Sequence, residues 1–404
     1  MMPKPWRKGR LFIFPTLGII LLFSGCIFLS KSAKDPVLER LPLSSYPDFS
    51  DDMSFDGLEY GIENSLSYLR RLPSDKLFSF GEDHYSISHI IRSLNEFLAF
   101  IQKKPDPRTL NSFIRSRYLI YRSTGKERSR EVLFTGYYEP IITGSLEKHP
   151  PYVIPIYPKP HDLTVVDLSL FSARCERKTI IGRYTEGRIL PYYDRKEIDV
   201  EKKLEGKTAP LAYLKDPIDL FFLQIQGSGK LILDSQQTAI LHYHISNGLP
   251  YRSIGNYLIE KGKLHRSEIS MQRIRSYLID HPEEMQDILN SNQSYVFFKF
   301  EDQGPKGALD VLLTPGRSIA LDARIFPPGS LGFIHSRKPL IDSAGQIRHW
   351  SSFSRFVLNQ DTGGAIKGPG RADLFWGNGP YAEIAAGHMQ HPGSLFFLIL
   401  NPKR

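Results

Sequence analysis

Cysteine is nearly absent from this 404-residue chain, with only Cys26 and Cys175 present, so no disulfide framework and no cysteine-based metal site can be built. The twelve histidines are scattered, with His242 and His244 the closest pair, and none shows the three-ligand spacing of a zinc site. Neither G-x-G-x-x-G nor G-x-x-x-x-G-K-[ST] occurs between a strand and a helix, which removes the usual phosphate cradles. No G-x-S-x-G elbow is present; Gln226-Gly227-Ser228-Gly229 comes nearest and lacks the first glycine. There is no repeat of fixed period and no low-complexity tract. These absences leave packing as the source of stability and give no reason to expect a metal or a cofactor.

What is present is a globular balance of 41% hydrophobic, 24% charged and 12% aromatic residues, enough for a sizeable core and for two or three structural units. The 29 prolines and 31 glycines argue against a helical bundle and for a mainly β fold with short helices. A net charge of +9 suits an anionic partner: nucleic acid, a membrane surface or a cell-wall polymer. The densest basic stretch (Arg115, Arg117, Arg122, Lys126, Arg128, Arg130) has no interleaved aromatics and reads as a solvated face, so nucleic acid is set aside.

The first ten residues carry Lys4, Arg7, Lys8 and Arg10, and 11–29 contains no charge, the layout of an export signal. The run is also long enough to span a bilayer of ~30 Å at 1.5 Å per residue, and its basic flank puts the bulk of the chain outside the cytoplasm. Within it, Leu22-Phe23-Ser24-Gly25-Cys26 resembles a bacterial lipobox, with Phe23 where leucine is usual. Lipidation at Cys26, an uncleaved membrane anchor and a removed signal are the three readings. Residues 30–51 are polar and read as a tether.

Helical spacing follows at Leu58, Ile62, Leu66 and Leu69, and again after Ser86 at Ile87, Ile90, Ile91, Leu94, Leu98 and Ile101. From Glu131 the pattern becomes short apolar stretches broken by glycine and proline, giving expected strands at 132–138, 152–157, 220–226 and 231–233. The charged stretch 194–207 reads as a surface helix or loop, and 253–262 and 270–280 as helices stopped by Gly262 and Pro282. Strands are expected again at 295–300, 308–313, 319–322, 331–335, 348–357 and 395–400, a spacing that favours a small barrel or sandwich.

Turn residues and carboxylates are densest between Gln360 and Gly379, where Asp361 and Asp373 sit among glycines. Turns capped by aspartate side chains would account for such a loop without any chemistry. Asp361-Thr362-Gly363 matches the aspartic-protease triplet, but that chemistry needs two such carboxylates and no second triplet exists in the chain. Glycosidic cleavage needs a carboxylic acid kept protonated near neutral pH. Trp376, Phe375, Tyr137, Tyr138 and Tyr381 could stack on sugar rings, and Gln224, Gln226 and Asn378 could bind hydroxyl or acetamido groups.

Several segments then occur in a specific order: Phe134-Thr135-Gly136-Tyr137-Tyr138-Glu139-Pro140; Gln226-Gly227-Ser228-Gly229; Asn247-Gly248-Leu249-Pro250-Tyr251-Arg252-Ser253-Ile254-Gly255; Ser294-Tyr295-Val296-Phe297-Phe298-Lys299; 322–329; and 361–379. This series, running from about Glu131 to the C-terminus, resembles the membrane-bound lytic murein transglycosylase A (MltA) family. The resemblance implies a mainly β fold with flanking helices: a double-psi β-barrel and an inserted small all-β domain, with a groove between them. The parts would be an anchor or signal at 1–30, a linker at 31–51, the barrel with its helices at 52–137 and 244–404 (its three-aspartate, or 3D, segment at about 315–404), and the insert at 138–243.

By motif, the resemblance makes Asp373 the catalytic acid and base, Asp361 and Asp322 supporting carboxylates, and Thr135, Tyr137, Tyr138, Gln226, Gly227, Ser228, Gly229, Lys367 and Asn378 substrate-binding. The implied reaction is non-hydrolytic cleavage of the β-1,4 bond between N-acetylmuramic acid and N-acetylglucosamine, leaving 1,6-anhydromuramyl ends, with no metal and no cofactor. Because the acid must start protonated, Arg371 is expected to face away from Asp373, toward stem-peptide carboxylates. The implied partners are peptidoglycan glycan strands, the membrane through the N-terminal anchor, and other cell-wall enzymes. The implied place is the bacterial envelope, on the outer membrane as a lipoprotein or anchored to the inner membrane. A peptidoglycan-binding envelope protein without turnover and a murein hydrolase of the same fold are the alternatives.

Overall fold

Six strands close a barrel: β1 (Val132–Tyr137), β2 (Ser318–Ala320), β3 (Leu331–Ile341), β4 (Ile347–Asp361), β5 (Arg371–Phe375) and β6 (Gln390–Leu400). Their order is β6-β3-β4-β2-β5-β1, and β1 pairs back onto β6. The pairings β1 with β5 and β2 with β4 are parallel and the rest antiparallel. This is a computed structural model that describes residues 36–175 and 178–403; the apolar run 11–29 and Cys26 lie outside them. Among the described residues no helix is long and apolar enough to cross a membrane.

The end of β6, 395–400, is buried at every position. Its outward face is covered as well as its inward one, which is why it reads as a continuous apolar run rather than an alternation. The helix Ile87–Ile101 provides that cover and Leu58–Leu69 covers β4, both as the spacing predicts. Ser86 accepts a hydrogen bond from the His89 amide, and Ile87, Ile90, Leu94, Phe97 and Ile101 are buried on one stripe.

The expected tether is different from 36 onward. Leu38–Arg40 pairs with Tyr118–Ser123 at the edge of the barrel sheet, and Tyr46 and Phe49 are buried. Asp51 takes both guanidinium nitrogens of Arg317, at 2.6 and 2.8 Å, with both side chains essentially inaccessible. Asp52 holds Arg355 in the same bidentate way. A stretch that is polar by composition is thus fastened by its acids to buried arginines of the barrel.

A second sheet runs Val296–Glu301, Thr238–Ser246, Ser228–Leu233, Ile141–Gly144, and a third joins Leu163–Asp167, Thr179–Thr185 and Arg188–Pro191. The expected insert boundary at 243 falls inside Thr238–Ser246, whose partner strand lies at Val296–Glu301. The helices Ile254–Glu260, Met271–Asp280 and Pro282–Asn290 share a separate apolar cluster with Phe221 and Phe222.

Two expected strands are not strands. Residues 220–226 belong to the helix Pro217–Gln226, capped by Asp216, with Pro217 in its first turn and Gly227 at φ +80° ending it. Residues 308–313 form a turn with one bridge, Lys306 to Leu312. The charged stretch 194–207 is not wholly at the surface either. Arg195 is 1% exposed and donates to the carbonyls of Asn292 and Ser294 and to Gln224 Oε1.

Candidate active site

The parallel pairing of β1 with β5 sets Thr135 opposite Asp373 and Tyr137 opposite Phe375, and β2 brings Ala320 opposite both Asp373 and Asp361. Two carboxylates far apart from β1 in sequence therefore meet its alternate side chains. The Thr135 hydroxyl donates to Asp373 Oδ1 at 2.7 Å, and the Tyr137 phenol donates to Asp361 Oδ2 at 2.8 Å. Asp361 Oδ1 also accepts from the amides of Ala308 (2.9 Å) and Thr362 (2.8 Å), so both of its oxygens are occupied. Asp373 Oδ2 has no hydrogen-bond partner among the described residues.

Asp373 and Asp361 are only half-buried, yet protein encloses them on most sides, the combination expected at the floor of a recess. That enclosure disfavours the ionised form and pushes Asp373 up to about 6, with the nearby Asp361 charge adding to it and Thr135 and Arg371 opposing it. Burial also raises Asp361, against its three donors, and burial between these carboxylates pushes the Tyr137 phenol well up. Asp322 behaves oppositely. Burial works upward on it too, but the Arg324 fork and the Gly368 amide outweigh this and hold it at about 2. It ties 322–324 to the loop 362–370, on which Lys367 stands exposed.

Arg371 does not face away. Its Nη2 lies 3.3 Å from Thr135 Oγ1, so the hydroxyl that donates to Asp373 accepts from Arg371. Enclosure outweighs the cation, and the acid stays raised in spite of it.

Three of the expected stacking rings are inside the core: Phe375 at 1%, Tyr138 at 7% and Trp376 at 8% exposure. Tyr137, half-buried and 5.2 Å from the Phe375 ring, and Tyr381, 44% exposed, remain accessible. Gln226 reaches the site indirectly. Its Oε1 accepts from the Tyr138 amide at 3.0 Å, while among the described residues its amide nitrogen has only the Met271 sulfur at 3.8 Å. Gly227 ends the helix before it, Ser228 is buried, and a side chain at Gly229 would collide with Leu223. Asn378 is exposed and donates to the buried Glu139 Oε2 at 2.9 Å. The Ala308 amide and the inward turn of Arg371 were not anticipated, and neither leaves a local signal in the sequence. Among the described residues no group of three or more His, Cys, Asp or Glu is arranged to hold a metal ion.

Comparison with known proteins places this geometry. Residues 133–299 match the MltA specific insert domain and 317–399 the 3D domain. The chain is 34% identical over 281 residues to membrane-bound lytic murein transglycosylase A of Escherichia coli K12, covering 69% of this chain and 68% of that protein. It is 31% identical over 320 residues to the protein of the same name from Vibrio cholerae, covering 78% and 77%. The chain belongs to the MltA family.

Solved MltA structures agree. A membrane-bound lytic murein transglycosylase from Agrobacterium tumefaciens superimposes with a TM-score of 0.73 at 27% identity, over 90% of this chain and 97% of that one. E. coli MltA with bound chitohexaose gives 0.68 at 26%, over 91% and 97%. The closed six-stranded barrel is accordingly the double-psi barrel of the MltA fold, accompanied by the inserted domain.

Proposed function

We propose that this chain is a peptidoglycan lytic transglycosylase in which Asp373 alone serves as acid and then base. The observation that carries this reading is the state of Asp373: one oxygen fixed by Thr135, the other without a hydrogen-bond partner among the described residues, and the carboxyl held at about 6. Relatives named lytic murein transglycosylase and a relative holding chitohexaose supply the substrate class.

Protonated Asp373 gives its proton to the glycosidic oxygen as the bond to the muramyl anomeric carbon breaks. The 6-hydroxyl of the same muramyl residue then attacks that carbon, and the Asp373 carboxylate takes the hydroxyl proton. The acid is restored, no water is consumed, and one product carries a 1,6-anhydro bridge. A tethered nucleophile corresponds to effective molarities up to ~10⁵–10⁸ M when well oriented, so a second carboxylate to activate water is unnecessary. Asp361, with both oxygens engaged, suits a support that adds negative charge beside Asp373. Asp322 suits a fastener of the 362–370 loop. Thr135 and Tyr137 line the recess, and Gln226, Ser228, Lys367 and Asn378 form its approaches, with Gly227 and Gly229 shaping the backbone.

The domains follow the sheets: a barrel from about 36–137 and 317–403, and an insert from about 138 into the 296–301 strand. Cys26 as a lipid anchor would place the enzyme on an envelope membrane; its relatives from V. cholerae and E. coli are named membrane-bound. The test is digestion of purified murein followed by mass measurement. Anhydro ends lack one water relative to reducing ends; reducing ends, or full activity in Asp373→Asn, would overturn the mechanism.

A further inference from the structure

The second sheet turns one face to its core, through Leu231, Leu233, Leu241 and Phe298. On its other face, strand register lines up Ser228, His242 and Lys299 in one row and Ile141, Lys230, Ile240 and Glu301 in the next. Lys299 and Lys306 both grip Glu301, Lys306 at 2.9 Å, and Lys306 also lies 3.6 Å from Asp310. Lys230 has no carboxylate partner among the described residues. Three lysines thus face two acids, one of which, Asp310, is also held by Arg71 at 3.4 Å.

Paired to both lysines, Glu301 is pulled down to about 2 and stays ionised. His242, half-buried, has its Nδ1 enclosed and without a partner, and burial and Lys299 keep the ring neutral. This face adjoins the catalytic recess. Lys306 is followed directly by Gly307, which packs against Asp361, and by Ala308, whose amide binds the Asp361 carboxylate.

We propose that this face is a binding site for the carboxylates of the peptide stems carried by the muramyl residues of the glycan strand. The proposal rests on the reading of the substrate as peptidoglycan. A stem of five residues, extended, reaches about 17 Å at ~3.3–3.6 Å per residue, and consecutive Cα atoms are only 3.8 Å apart, so a strand seated at Asp373 can lay its stem along the row beginning at Lys306. Two lysines sharing one glutamate remain partly uncompensated. An incoming carboxylate completes their pairing, and Glu301 sets how strongly they attract it.

The test measures Kd of the full-length protein carrying Asp373→Asn, which holds strands uncut, for three ligands: peptide-bearing glycan strands, the same strands stripped by an amidase to free lactoyl carboxylates, and neutral chitohexaose. Lys299→Gln weakens peptide-bearing strands about threefold, the scale of one partly exposed ion pair. Glu301→Gln, which frees both lysines, tightens them by a similar factor. Chitohexaose binding stays constant in both, and added salt erases the differences.

Weakening by both substitutions, or equal changes with chitohexaose, would show a merely structural role and overturn the proposal. Equal changes with stripped strands would assign the site to the lactoyl carboxylate instead of the stem, and absence of any strand binding overturns it as well. Failure of murein digestion to give anhydro ends, with the charge-dependent binding intact, would remove the transglycosylase mechanism and leave this site standing.

Discussion

Replacing Asp373 by Asn separates the cost of the proposed catalytic acid from its use. A carboxyl held at about 6 against an ordinary 3.8 means that the ionised form is disfavoured in the folded protein by about 3 kcal/mol relative to the unfolded chain. Water reaching the open Oδ2 reduces this to about 2–3 kcal/mol. The sign follows from the raised folded-state value. Below about 3.8 the group is neutral in both states and costs nothing. The penalty grows as pH rises from there to about 6 and is constant above.

Asparagine keeps an acceptor for the Thr135 hydroxyl and carries no charge, so the variant is more stable than wild type at pH 7.5. With an unfolding entropy near 2.1 cal/mol/K per residue over about 370 residues, the gain corresponds to about 3–4 °C in Tm. It shrinks toward zero at pH 4, while murein-cleaving activity falls by about 10²–10⁴-fold. Differential scanning calorimetry at the two pH values checks the stability side and muropeptide release the activity. Equal Tm values at pH 7.5, or the same gap at both pH values, would refute the account of Asp373 as an acid kept neutral by enclosure.

The wild-type rate should fall as pH rises through about 6 and Asp373 ionises; a rate that instead rises through this range in a murein-release profile would contradict its role as the acid. Thr135→Val removes the hydroxyl that pulls Asp373 downward and detaches Arg371 from the pair, so the alkaline limb moves to higher pH; an unmoved limb would show the contact to be inert. Asp51→Asn leaves Arg317 buried without its counter-charge and should cost about 3–5 kcal/mol, read by denaturant titration. Gly377→Ala forces φ +89° on a residue whose new Cβ lies 2.9 Å from Pro315, for a loss of about 1–3 kcal/mol.

Local patterns in the sequence carried the covering helices and most barrel strands, because those elements announce themselves through periodicity and caps within a dozen residues. Residues 220–226 misled for a definable reason. Leu220-Phe221-Phe222-Leu223 is buried around most of its circumference, so the apolar run shows neither period. The Asp216-Pro217 start and the Gly227 end mark the helix through its termini instead. The segment 36–51 misled through composition: Asp51 and the adjoining Asp52 are polar because their buried partners Arg317 and Arg355 are charged, and those partners lie more than 250 residues away.

The candidate site shows the same division between what is local and what is not. Ordered motifs mark Thr135, Tyr137, Asp361 and Asp373, but no spacing states that β1 runs parallel to β5, which puts Thr135 on Asp373, or that β2 lies between β5 and β4, which brings Asp361 to Tyr137. The Arg371 expectation failed at this step. Treated as an isolated cation two positions from an acid, it should avoid a carboxyl that must stay protonated. In the barrel, Arg371 and Asp373 project on the same side of β5, and the Thr135 hydroxyl stands between them. The cation therefore lowers the acid by its charge without forming a direct ion pair with it, and enclosure together with Asp361 outweighs it. An acid poised near 6 is the balance of these opposed influences, with Thr135 the contact through which the balance can be moved.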